Sequence, residues 1–304
     1  MVAGPPALIG IDWGTTTARA YRFDADGNIT GEHSEALGVQ KIESGRFADA
    51  LKTLVEGDVR SGVPLIACGM IGSRQGWLEA PYLACPVDFA AIAHALTRAS
   101  DPPLAIVPGL ICRDAEDIPD VMRGEETQVF GALEENLSRQ LVVLPGTHCK
   151  WVLAEENRIE TFATFMTGEL YSVLREHSIL GRLATAGTDS EAFGRGIRTS
   201  LRPGAALSHD LFSARTLALT GELARDGVSD YLSGLLLGAE FTAARPWMER
   251  IGALDLSITL IGDAMLCERY RAALAIAGLE ACTGPVDAAA RGLWKLAQQA
   301  GMTR

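Results

Sequence analysis

The chain has 304 residues, 48% of them hydrophobic, and a formal net charge of −11. That length suits two domains better than one, and the acidic balance excludes nucleic acid or an anionic membrane as a bulk electrostatic partner. Cys68, Cys85, Cys112, Cys149, Cys267 and Cys282 form no CxxC and no Cys/His group, so they read as reduced, buried thiols of a cytoplasmic chain, and neither a signal peptide nor a membrane-length apolar run is visible.

The first informative stretch is Ile9-Gly-Ile-Asp-Trp-Gly-Thr-Thr-Thr-Ala-Arg19. An apolar strand ends on an acid, followed by glycine and three hydroxyls. A phosphate loop or Rossmann turn needs a helix after its glycines. Here Arg19, Tyr21 and Phe23 alternate with Ala18, Ala20 and Arg22, which is a strand period. Asp24-Ala-Asp-Gly-Asn28 is a turn signal, and a third strand begins at Ile29. The unit is therefore strand–turn–strand–turn–strand, and Gly14–Thr17 is the bend of a hairpin.

Further along, strands are expected at 65–67 and 104–107. Helices are expected at Phe47–Glu56, Phe89–Arg98 and Glu125–Leu137, the last with Val129, Leu133 and Leu137 every four residues. A domain boundary is expected in the polar stretch 134–140. The opening grammar then returns: strand 141–144, the bend Pro145-Gly-Thr-His-Cys-Lys150, strand 151–154, a turn at 155–158, and an alternating strand from Ile159 to Phe165. Such a repeat predicts two similarly built domains. Helices follow at 168–176, 230–243, 264–277 and 286–299. A strand at 258–261 runs into Gly262-Asp263 and a helix. Gly234 and Gly238, four apart on one helix face, are expected to serve close packing.

IGIDWGTTTARAYRFD, GMIGSRQGWLEAPYLACP, RGEETQVFGAL and VVLPGTHCKW together resemble the 2-dehydro-3-deoxygalactonokinase family, within the superfamily of sugar kinases, heat-shock ATPases and actin. The resemblance runs from Ile9 to about Trp294. It implies an α/β fold of two similar RNase H-like domains, an actin-like ATPase fold with an interdomain active-site cleft. The domains would be 1–137 and 138–304, with the last helix packing back on the first. It implies ATP and Mg²⁺, a small sugar-acid substrate, phosphorylation of its terminal hydroxyl, and no nucleic-acid or membrane partner; a homodimer is compatible with it.

The same resemblance assigns roles. Asp12 would hold hydrated Mg²⁺, which favours one or two carboxylates plus phosphate oxygens; a strand-end Asp also caps turns. Gly14, Thr15, Thr16 and Thr17, with Gly146, Thr147 and His148, would grip phosphates, although threonine is a good strand former in any case. Lys150 would neutralise the transferring group, or be a solvated strand lysine. Glu126, ahead of Glu125, would orient the attacking hydroxyl; acids in a first helical turn also favour the helix dipole. The acid that many sugar kinases carry near the second hairpin is absent from Val143-Leu-Pro-Gly-Thr147. Arg74 would clamp the substrate carboxylate, with Ser73 and Trp77 beside it, unless Trp77 packs on the core. Gly262 and Asp263 would meet the adenosine, or form an ordinary β–α turn. Two other readings stay open: a phosphatase or nucleotidase using Glu126 on water, and an ATP-gated binding protein.

Overall fold

The computed structural model describes residues 5–55, 62–134 and 138–303. In chain order the elements are β1 (Leu8–Trp13), β2 (Ala18–Phe23), β3 (Ile29–Glu35), α1 (Phe47–Leu54), β4 (Leu65–Gly69), β5 (Tyr82–Ala84), β6 (Val87–Asp88), α2 (Phe89–His94), β7 (Thr97–Ser100), β8 (Pro103–Ile106), β9 (Gly109–Arg113), β10 (Pro119–Met122) and α3 (Glu125–Ala132). There follow β11 (Arg139–Leu144), β12 (Cys149–Glu155), β13 (Arg158–Phe165), α4 (Thr167–His177), α5 (Ser190–Leu201), α6 (Leu207–Asp210), α7 (Ser213–Leu219), α8 (Val228–Arg250), β14 (Ile258–Leu260), α9 (Ala264–Ile276), β15 (Ala281–Thr283) and α10 (Ala288–Gln299). Two compact units emerge: residues 1–138, 154–162 and 287–304 form one, and 139–153 with 163–286 the other. The boundary expected in 134–140 and the helix end expected at Leu137 fall partly or wholly outside the described residues, as does Glu56.

Two six-stranded sheets repeat one plan. The first runs β3-β2-β1-β4-β8-β7, the second β13-β12-β11-β14-β15 with β6 added beside β13. In the first, β1 and β2 pair antiparallel while β1 and β4 run parallel. In the second, β14 runs parallel to both β11 and β15. A meander followed by parallel strands is the RNase H-like arrangement, so the strand–turn–strand grammar of the sequence carries over to topology. Among the described residues no helix is long and apolar enough to cross a membrane.

The core of the first unit gathers Ile9, Ile11 and Trp13 of β1 against Leu51 and Leu54 of α1. That of the second gathers Leu141, Val143 and Trp151 against Phe241 and Tyr270. All six cysteines are free thiols, but Cys85 is only half-buried and Cys282 is exposed, so the expectation of uniformly buried thiols fails for those two.

Several elements depart from the sequence expectations. The helix from Phe89 stops at His94, and Thr97–Ser100 instead pairs antiparallel with β8. Sheet pairing outweighs local propensity there. α3 ends at Ala132, with Leu133 already in a non-helical conformation. α8 continues seven residues past the expected Ala243, through Pro246, to Arg250. α5 was not expected at all, because Gly194 and Gly196 lower helix propensity by about 1 kcal/mol each. Their reason is packing: a Cβ on Gly196 would meet Tyr231 O at 2.2 Å, and one on Gly234 would meet Phe193 O at 2.2 Å.

The same device fixes α10 on α3 within the first unit. A Cβ on Gly131 would fall 1.8 Å from Ala288 O, and one on Gly292 would fall 1.9 Å from Thr127 O. Gly292→Ala therefore sets a helix-propensity gain of up to about 1 kcal/mol against backbone overlap that no rotamer relieves, typically about 1–3 kcal/mol. Overlap dominates, and a melting point lower by about 3 °C is expected. A melting point equal to or above wild type would show that the two helices are not held in this contact.

Candidate active site

In the first unit Asp12 is the penultimate residue of β1. Its register partners are Arg19 on β2 and Cys68 on β4. The carboxylate is half-buried and accepts from Cys68 Sγ at 3.9 Å. Burial pushes its pKa from 3.8 to about 6; Arg19 pulls it down, and the Glu125 charge pushes it up again.

The Gly14–Thr17 bend follows, closed by Gly14 N–H donating to Thr17 O at 2.9 Å. The segment after β3 clasps it. Gly38 N–H donates to Thr16 O, Val39 N–H to Gly14 O and Gln40 N–H to Thr15 O, at 3.1, 3.1 and 3.3 Å. Trp13 Nε1 donating to Leu37 O at 2.7 Å secures the clasp. With the bend's carbonyls occupied, the amides of Thr15, Thr16 and Thr17 have no backbone acceptor among the described residues. Successive free amides in a turn make an anion-binding concavity, and Thr16 and Thr17 are exposed.

Two glycines in the left-handed region bring α3 toward Asp12. Gly69 (φ 90°) closes β4 and Gly124 (φ 107°) precedes α3. A Cβ on Gly124 would lie 3.0 Å from Gly69 Cα, and one on Gly69 would lie 3.5 Å from Asp12 Oδ1. Glu126 is fully buried, with Oε2 accepting from Gly124 N–H at 2.7 Å and Oε1 from the Thr127 hydroxyl at 2.9 Å. Burial first, and the Glu125 charge second, push its pKa from 4.5 to about 7. Glu125 is half-buried, and its Oε2 accepts from Arg123 N–H at 2.9 Å. Successive helical residues point about 100° apart. One of the two acids therefore turns inward and the other remains accessible.

The loop after β4 separates its candidates. Arg74 is 87% exposed and pairs with Glu79 at 3.5 Å. Trp77 is half-buried and stacks on Phe47, with ring centroids 6.5 Å apart, and so packs on the core. Ser73 Oγ is buried with no hydrogen-bond partner. Arg123, the first residue of the RGEETQVFGAL motif but given no role there, lies behind this loop, 8% exposed.

In the second unit Gly146, Thr147 and Asp263 line one cavity of about 1100 Å³, together with Gly168, Glu169 and Arg269. The 145–147 bend sits on the start of α4: Glu169 N–H donates to Thr147 O at 3.0 Å, and a Cβ on Gly168 would meet Gly146 O at 2.3 Å. His148 Nε2 lies 2.5 Å from Glu169 Oε2, an exposed pair on that rim. Asp263 caps α9 through Leu266 N–H at 3.0 Å. Gly262 (φ 136°) lies beside Pro145, whose carbonyl an added Cβ would meet at 3.6 Å. Below the cavity, Glu240 accepts from Trp151 Nε1 at 2.7 Å and from the Tyr270 hydroxyl at 3.0 Å, and burial raises its pKa. Lys150 does not join the cavity lining. It is buried in β12, with Nζ donating to Thr164 Oγ1 at 2.6 Å.

Two sheets of one RNase H-like order, with hydroxyl-bearing bends after the first strand of each, define the actin-like ATPase fold. A Clostridium difficile structure, the activator of 2-hydroxyisocaproyl-CoA dehydratase with bound ADPNP, shares this fold at a TM-score of 0.52 and 13% identity, covering 96% of this chain and 95% of its own. A Sinorhizobium meliloti crystal structure, given the name 2-dehydro-3-deoxygalactonokinase provisionally, superposes at a TM-score of 0.84 with 35% identity, covering 96% and 98%. The Escherichia coli K12 2-dehydro-3-deoxygalactonokinase is 40% identical over 274 residues, 90% of each chain. Residues 12–296 match the 2-keto-3-deoxy-galactonokinase family, and the chain belongs to that family.

Proposed function

We infer that the chain transfers the γ-phosphoryl group of ATP to the terminal hydroxyl of 2-dehydro-3-deoxy-D-galactonate, giving the 6-phosphate and ADP. The observation that carries this is family membership across 12–296, a span that includes both bends and the whole Asp12 cluster. Phosphoryl transfer passes through a loose transition state, so catalysis is mostly positioning and charge stabilisation. The free amides and hydroxyls of Thr15–Thr17 suit terminal phosphate oxygens, and the cavity beside Gly146 and Thr147 has room for a nucleoside.

Among the described residues no three His, Cys, Asp or Glu side chains group into a metal cage. Mg²⁺ does not need one, because it keeps its waters and uses one or two carboxylates. Asp12 fits: it is half-buried at the end of β1 beside a second acid, Glu125, and burial outweighs the pull of Arg19, so the carboxylate is only partly compensated by the chain. Mg²⁺ held there would offset charge on the transferred group. Glu125 is the accessible acid beside Asp12, and we assign it the hydroxyl-orienting role, with Glu126 buried behind it as a positioning residue for the Gly124 turn. Lys150, tied to Thr164, serves as a cross-strand anchor in this reading.

The test is ADP production from ATP with and without the keto acid, with the phosphate located on the product by NMR. Acid-dependent ADP release and a 6-phosphate are expected. Equal ADP release with and without the acid would point instead to the phosphatase reading.

A further inference from the structure

The guanidinium of Arg123 is buried without the partners such a group requires. Nη2 donates to Ala80 O at 2.8 Å, and Cζ lies 4.3 Å from the centroid of the Tyr82 ring. Nε and Nη1 are buried and meet no hydrogen-bond partner among the described residues. Guanidinium carries five N–H donors and stays charged at any working pH. Burying such a cation with most donors idle costs several kcal/mol. Unsatisfied buried polar groups are rare in native chains, and each calls for a cause.

A second unsatisfied group lies on the loop that touches the arginine. Ser73 Oγ is also buried without a partner. Its neighbour Gly72 touches the arginine: a Cβ on Gly72 would stand 2.9 Å from Arg123 Nη1. A loop that carries a hydroxyl short of a partner thus packs, one residue away, against a cation short of acceptors. Arg123 is separated from Glu125 by the single residue Gly124. A ligand held here would therefore have its far end within reach of the Asp12 and Glu125 acids.

We propose that Arg123, assisted by Ser73 Oγ, binds the carboxylate of the acceptor and so selects acids over neutral sugars. The proposal deepens the kinase reading above and rests on it. A planar carboxylate matches the guanidinium fork end-on: one oxygen would accept from Nη1, which lacks a partner, the other from the second N–H of Nη2, and the Ser73 hydroxyl would donate to either. Arg74, the arginine expected in this role from sequence, is 87% exposed and already paired with Glu79. Exposed pairs of that kind contribute little.

The test compares two acceptors of one shape, the 2-keto-3-deoxy acid and its primary carboxamide. Wild type should prefer the acid by about 100-fold in kcat/KM, the order expected for a buried, hydrogen-bonded charge pair. Arg123→Gln should bring that preference to within about 3-fold, through KM for the acid, with KM for ATP unchanged. Arg123→Lys should keep part of it, because the charge remains while the fork is lost. Ser73→Ala, which leaves the arginine in place should Arg123→Gln fail to fold, should lower the preference by about 10-fold. If Ser73→Ala and Arg123→Lys slow acid and amide equally, Arg123 is structural and the proposal fails. It fails too if Arg74→Ala, and not Arg123→Gln, erases the preference. A wild-type enzyme that makes no acid-dependent ADP would sink the kinase reading itself, a result separable from both.

Discussion

Asp12→Asn should lower kcat by about 10²–10³-fold or more, the usual cost of removing one preorganised charge-stabilising group, yet leave the protein at least as stable as wild type at pH 8. The two halves of this expectation share one cause. Asp12 is held where burial opposes its charge, with a folded pKa of about 6 against 3.8. A raised carboxyl pKa means that the folded state binds the extra proton between those values, so its ionisation costs stability as pH rises through that window. Asparagine keeps the shape and discards the charge. If Asp12 were only a turn cap, the substitution would cost stability and spare turnover, the reverse of what is expected. Kinetics over a Mg²⁺ titration, beside a melt at pH 8, distinguish the two outcomes.

Much of the fold was legible because strand period and turn residues are local signals. The alternation of Arg19, Tyr21 and Phe23 excluded a phosphate-loop helix, and β2 lies where that alternation places it. The repeat of the same grammar from Leu141 anticipated a second sheet of the same order. What escaped was set by partners distant in sequence. Thr97–Ser100 is a strand because β8 pairs with it. α5 is a helix because its glycines let it approach α8 closely. At the site, the acids following Arg123 were visible as a motif, but which acid faces inward depends on how Gly69 and Gly124 meet. The surroundings of Arg123, which opens that motif, are invisible in sequence: its neighbours Ala80, Tyr82 and Gly72 lie about forty or more residues away.

The adjacent acids give the second large expectation. Glu126→Gln should stabilise the protein at pH 8 by about 3 kcal/mol, near 5 °C in melting temperature for a chain of this length, and change it little at pH 5. Glu126 has a folded pKa of about 7 against 4.5. Below pH 4.5 both states are protonated and no penalty exists. Between 4.5 and 7 the folded state holds a proton that the unfolded state has lost, so stability falls as pH rises; above 7 the full penalty is present. Glutamine mimics the protonated acid. Its amide oxygen can accept from Gly124 N–H while its amide nitrogen donates to Thr127 Oγ1, which preserves both contacts of the carboxylate. Wild-type stability should therefore carry a Glu126 decline up to pH 7 that the variant lacks, while both keep the declines due to the other raised carboxyls, Asp12, complete by about pH 6, and Glu240. Activity separates the pair further. Glu125→Gln should reduce kcat by about 10²–10⁴-fold, as expected for loss of a proton acceptor, and Glu126→Gln by much less. A larger kcat loss in Glu126→Gln than in Glu125→Gln would return the hydroxyl-orienting role to Glu126, and would require the Gly124 turn to open when substrate binds, since nothing in its present position exposes that carboxylate.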